Sequence, residues 1–165
     1  MMPEVIDGGA TFSECGRFRY ELRRVWDRAL PALAVIGLNP STADATTDDP
    51  TMRRVRGFAA DNGFGSFIML NLFAYRATKP RDLNAAGYPT GDPENIDRIT
   101  EVSNENATLV AWGGHQGINR RVLRVTARLR GPLLCLGVTQ GGMPRHPLYL
   151  PAETQLQVWR EFRDV

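Results

Sequence analysis

Leu33-Ala34-Val35-Ile36-Gly37-Leu38-Asn39-Pro40-Ser41-Thr42-Ala43-Asp44 is the stretch on which the fold turns. Its first half, Leu33 to Leu38, is a continuous apolar run, too short for a helix and without the alternation of a half-solvated strand. It reads as a strand buried on both faces. Its second half breaks at once into polar and turn-forming residues. Open parallel sheets bind ligands beyond the carboxyl ends of such strands, so this junction is where a site is expected.

Working outward, comparable runs span Phe67 to Leu72, Thr108 to Trp112 and Leu133 to Val138. Helical patterns alternate with them. Asp49-Pro50 opens one from about Thr51 to Asp61, with Met52, Val55 and Ala59 on one face and Gly63 as its stop. Asp92 caps a second, with Pro93 at its first position and Ile96, Ile99 and Val102 as the buried stripe. A third runs from about Gly117 to Arg130, with Ile118, Val122, Val125 and Leu129 inward and Gly131-Pro132 as its end. The spacing of Leu156, Trp159 and Phe162 predicts a last helix over about 152–162. Ala10 to Phe12 and Arg17 to Leu22, around Cys15-Gly16, read as a hairpin. The loop from Thr78 to Asp92 is the longest.

The expected fold is therefore α/β, a three-layer α/β/α sandwich. It has a central parallel sheet of about four strands plus an N-terminal hairpin, in one domain over residues 1–165. A length of 165 residues with 42% hydrophobic content suits one core. No apolar stretch is long enough for a membrane span and Met1 to Val5 does not resemble a signal peptide, so the expected address is cytoplasmic, with no membrane partner. Cys15 and Cys135 read as reduced thiols, and the two cysteines and two histidines lack metal-ligand spacing. No metal or other cofactor is expected. A net charge of +2 is well below that of a dedicated nucleic-acid binder. Nothing in the pattern fixes an oligomeric state.

Chemistry is expected at the strand ends. Pro40 restricts Asn39 to extended geometry, which holds its amide at the strand mouth to orient a water or a ligand carbonyl, unless it is an ordinary turn asparagine. Asn71 ends an apolar strand, either to pair with a base edge or to cap structure. Phe73, Tyr75 and Arg76 offer stacking and a phosphate contact, or else the aromatics are core. His146, between Arg145 and Pro147, can donate to an anionic leaving group or be a surface-loop histidine; His115 reads first as a helix-terminal polar residue and second as a catalytic one. Asp44, Asp48 and Asp49 could gather magnesium, although capping a helix explains Asp48 and Asp49 more simply. Arg53, Arg54 and Arg56 are a solvated helix face or the rim of the Asn39 pocket. Walker A, G-x-S-x-G and G-x-G-x-x-G sequences are absent.

The motifs Leu38-Asn39-Pro40-Ser41-Thr42-Ala43-Asp44, Asp48-Asp49-Pro50-Thr51, Asn71 to Thr78, Ala111-Trp112-Gly113 and His146 to Leu150 together resemble a bacterial domain-of-unknown-function family numbered 1643. That family names no activity. More distantly, four motifs in order resemble the uracil-DNA glycosylase superfamily: Gly37 to Ser41, Ile68-Met69-Leu70-Asn71, Val110 to Gly113 and His146 to Leu150. The resemblance implies that Asn39 positions the attacking water, Asn71 reads a pyrimidine edge, His146 steadies the departing base and Leu150 wedges into a duplex. Gly37, Pro40, Ser41, Phe73, Arg76 and Arg145 would complete the substrate site. Two departures stand out: Leu148 replaces a serine that contacts phosphate, and Ser41 replaces a tyrosine that excludes 5-substituted bases, which implies a roomier pocket. The leading expectation is an N-glycosidic-bond hydrolase acting without metal on a base in nucleic acid or on a nucleoside derivative. The alternatives are a non-catalytic nucleic-acid or nucleotide-binding module and a magnesium-dependent phosphohydrolase.

Overall fold

The computed structural model describes residues 2–160. Seven strands form one sheet in the order β1-β2-β4-β3-β5-β6-β7. Its middle is parallel: β3 (Ala32–Gly37), β4 (Ser66–Asn71), β5 (Ala107–Val110) and β6 (Leu133–Cys135). The expected four-stranded parallel sheet is thus the centre of a larger mixed one. On one side the hairpin of β1 (Asp7–Phe12) and β2 (Arg19–Val25) joins it, with β2 antiparallel to β4. On the other, β7 (Gln157–Arg160) pairs antiparallel with β6.

β7 corrects the helix expected over 152–162. Leu156 and Trp159 fit a helical spacing, but without a neighbour β6 would leave a row of backbone donors and acceptors unpaired. Gln157, Val158 and Arg160 take up that edge, opposite Cys135, Leu134 and Leu133. Phe162, the last residue of the expected stripe, lies outside the described residues.

Strand alternation divides the core into two sides. Leu33, Val35, Phe67, Met69 and Leu109 face one cluster, which α1 (Pro50–Asp61) covers with Met52, Val55, Phe58 and Ala59. Ala34, Ile36, Leu70 and Val110 face the other. α3 (Glu94–Glu105) covers it with Ile96 and Ile99, and α4 (Asn119–Thr126) with Val122 and Val125. Helices therefore lie on both faces of the sheet. Each of these aliphatic side chains contributes about 1.5–3 kcal/mol on burial, before the entropy cost of ordering it. The long loop contains a short helix, α2 (Pro80–Ala85), whose Leu83 is buried in the second cluster. No helix among the described residues is long and apolar enough to cross a membrane. Both cysteines are free.

Polar anchors fasten these layers. Asp49 caps α1, its Oδ1 accepting from the Met52 N–H at 2.9 Å, with Pro50 following it. Arg121 of α4 donates to both carboxylate oxygens of Asp92, at 2.6 and 2.9 Å, and through Nε to the Leu72 carbonyl just after β4. Asp92 in turn accepts from the Ile96 N–H at the start of α3. Two indoles hold the turn after β6: Trp112 Nε1 lies 3.4 Å from Met143 Sδ, and Trp159 Nε1 donates to the Gly142 carbonyl. Their rings meet edge to face, with centroids 5.3 Å apart.

Candidate functional site

The last positions of β3 and β4 fall on the α1 side of the sheet, in step with Val35 and Met69. Gly37 and Asn71 are direct register partners there. Beyond them opens a cavity of about 630 Å3, of a size that accommodates a drug-sized molecule. Of the residues singled out in the sequence, Gly37, Asn39, Ser41, Asn71, Arg145, His146 and Leu150 all line it. Residues over a hundred positions apart in the chain thus converge on one space.

Asn71 is 1% exposed, and neither its Nδ2 nor its Oδ1 has a hydrogen-bond partner. Burying an amide in this state costs about 1–3 kcal/mol for each unmet group, so it calls for an explanation outside the fold. Gly37 is what admits it. A Cβ at position 37 would lie 2.9 Å from Asn71 Oδ1 and 2.6 Å from Met69 Cε. The Asn71 backbone is otherwise occupied, its carbonyl accepting from Asn95 Nδ2 at 3.0 Å.

Asn39 is pinned through its nitrogen. Nδ2 donates to the Ala77 carbonyl at 2.8 Å and to the Pro40 carbonyl at 3.0 Å, and two carbonyl neighbours fix which end of the amide is which. Oδ1 is left as an acceptor at the cavity wall. Pro40 itself is buried and does not line the cavity; its carbonyl also takes the Ala77 N–H at 2.9 Å, which ties the two loops together.

The late loop supplies the opposite wall. Gly113 donates its N–H to the Pro144 carbonyl, and its φ of +78° suits glycine. A Cβ there would lie 3.2 Å from His115 Nε2 and 3.5 Å from His146 Cβ, so the two histidines flank it. His146 caps a 3-10 turn, Pro147–Tyr149, with Nδ1 accepting from the Leu148 N–H at 3.2 Å. The neutral ring must then carry its proton on Nε2. Burial, and next the nearby charge of His115, push the His146 pKa below 6.5, while Asp49 pulls the other way. Burial likewise lowers His115. Both imidazoles are neutral donors at neutral pH.

Three expectations shift in place. Phe73 is core, 3% exposed and packed against Tyr88, and it does not line the cavity. Arg76 sits in an adjoining depression of about 490 Å3 with Ser41, Thr42, Thr78 and Asp82, its guanidinium over the Phe12 ring. Leu150 is half-buried against the α1-side core and its carbonyl accepts from Arg54, whereas Tyr149 at the rim is 86% exposed.

Arg19, Asp49 and His115 also line the cavity; the sequence pointed to Asp49 as a helix cap or a magnesium ligand, to His115 chiefly as a helix-terminal polar residue, and not to Arg19. Arg19 is 1% exposed, donates to the Ala43 carbonyl at 2.8 Å and leaves Nε unmet. Desolvation pulls its pKa down to about 10 against the opposing charge of Asp49. A strand arginine carries no local mark of such a role; Asp49 was visible, but as a cap or a magnesium ligand. The three aspartates do not gather. Asp44 holds the Thr46 and Thr47 N–H groups, Asp48 pairs with Arg24 and Arg56, and no metal-binding group of three side chains exists among the described residues.

No curated protein and no solved structure shows significant similarity to the chain. A family model described as a protein of unknown function, DUF1643, matches residues 19–148, from the buried arginine of β2 to the turn that His146 caps. The chain belongs to the DUF1643 family.

Proposed function

We propose that this protein is an N-glycosidic-bond hydrolase of uracil-DNA glycosylase-like architecture, acting on a base in nucleic acid or on a nucleoside derivative. One observation carries the reading: the fully buried Asn71 amide, with both polar ends unmet, on the wall of a cavity large enough for a base. An amide offers a donor and an acceptor side by side, the pattern that a pyrimidine's own amide edge complements. His146 supports the second half of the chemistry. Its Nε2–H, fixed by the Leu148 contact, suits donation to the oxygen of a departing base anion.

Ser41 in place of a bulkier side chain favours substituted bases. The test is a panel of single-stranded oligonucleotides and free nucleosides carrying uracil, 5-hydroxymethyluracil, hypoxanthine or cytosine, with released base measured by chromatography. Release of one base is expected, lowered about 100- to 1000-fold in His146→Ala. It should persist in EDTA, since Asp44, Asp48 and Asp49 have separate partners. No release, with binding of the same compounds unchanged in Asn39→Ala and Asn71→Ala, would sink the proposal. A base-binding module without turnover is the second reading, favoured by the pinned Asn39 amide, which cannot accept a proton.

A further inference from the structure

Hydrolysis by water needs a group that takes a proton, and the cavity wall offers few. The amides of Asn39 and Asn71 are not bases, and the hydroxyls of Ser41, Thr42, Thr51, Thr78 and Thr139 are too weakly basic at neutral pH. The Nδ1 lone pair of His146 is committed to Leu148, which leaves two candidates on the wall, the His115 imidazole and the Asp49 carboxylate. Asp49 is the single carboxylate among the lining residues. Its Oδ1 is held by the Met52 N–H, while its Oδ2 has no protein partner among the described residues. The side chain is 93% withdrawn from solvent, being only 7% exposed, and its charge is felt at both Arg19 and His146.

Resting on the hydrolase reading above, we infer that Asp49 is the catalytic base: its Oδ2 takes the proton of the attacking water. The water oxygen bonds to the anomeric carbon as the bond from that carbon to the base nitrogen breaks. The bonding pair leaves with the base, whose oxygen accepts a hydrogen bond from His146 Nε2–H. The proton passes from water to Asp49 Oδ2 and then to the departed base, so the carboxylate is restored. The buried guanidinium of Arg19, on the same cavity wall, lies within electrostatic reach of the carboxylate. Asn39 Oδ1 orients the water without receiving its proton. The division of labour explains how an asparagine can occupy the first strand's mouth in a hydrolase.

Asp49 also caps α1, so its removal must be separated from unfolding. Asn and Ser both cap helices well and neither is a base at neutral pH. Asp49→Asn and Asp49→Ser are therefore compared with wild type in single-turnover release from the oligonucleotide panel, and in calorimetric binding of free uracil and free hypoxanthine. Thermal melting checks the fold of each variant. The expected result is release slowed at least about 100-fold in both variants, with free-base binding within about threefold of wild type. Release within about threefold of wild type in either folded variant overturns the role of Asp49 and leaves the hydrolase reading standing. Wild-type protein that binds bases without releasing any, or that neither binds nor releases, overturns both.

Discussion

Gly37 shows how a single hydrogen can hold a site open. The orphaned Asn71 amide and the Met69 methyl both press into the space that any side chain at position 37 would fill. Gly37→Ala is expected to displace Asn71, to weaken base binding at least about tenfold and to cost about 1–3 kcal/mol of stability through overpacking. Calorimetric titration with free uracil alongside urea denaturation reads both effects, and a variant that binds as tightly as wild type would show that Asn71 does not face the bound base. Asn71 and Gly37 are linked by register rather than by proximity in the chain, a relation that no local pattern reveals. The sequence could mark each as a strand-end residue. It could not say that one makes room for the other.

Elements were legible where local signals agreed with tertiary demand. The four buried strands, the capped α1 and the stripes of α3 and α4 follow from apolar runs, Asp49-Pro50 and helical spacing, and all recur within a few residues of their expected limits. The last segment failed because its two signals conflicted: a spacing of three fits a helix, yet the open edge of β6 demanded a strand. For the site, the convergence of the first and last loops followed from the motif order, whereas Arg19 and His115 arrive through sheet pairing and a positive-φ glycine. The clamp between elements can be tested directly. Removing Arg121 unpairs Asp92 and leaves the Leu72 carbonyl without its Nε donor, at the joint where β4, α3 and α4 meet. Arg121→Ala is expected to lower the unfolding free energy by about 3 kcal/mol, measured by urea denaturation; a loss under about 1 kcal/mol would place the joint's strength elsewhere.

At the scale of the whole molecule, the shifted groups make stability depend on pH in a definite direction. His115 and His146 have folded pKa values below the ordinary 6.5 because burial opposes their charge. The unfolded chain therefore takes up protons first, and stability falls as pH drops below 6.5. Asp92 is pushed up by desolvation, but the Arg121 hydrogen bonds and charge outweigh this and hold it below 3.8. Its share of stability is present above 3.8 and is lost as pH falls through the folded value. Urea midpoints should thus decline from about pH 7 to about pH 5, less steeply in His146→Asn; a flat wild-type profile would mean that the two imidazoles are hydrated. The indole pair, finally, links one wall of the cavity to something visible. Trp112 grips Met143, Trp159 grips Gly142, and the two rings touch, so the turn leading to His146 is held between two chromophores. The protein carries its own optical gauge of that loop: whatever shifts the loop to admit a guest also alters the polarity and mutual quenching of the two indoles, with no dye attached.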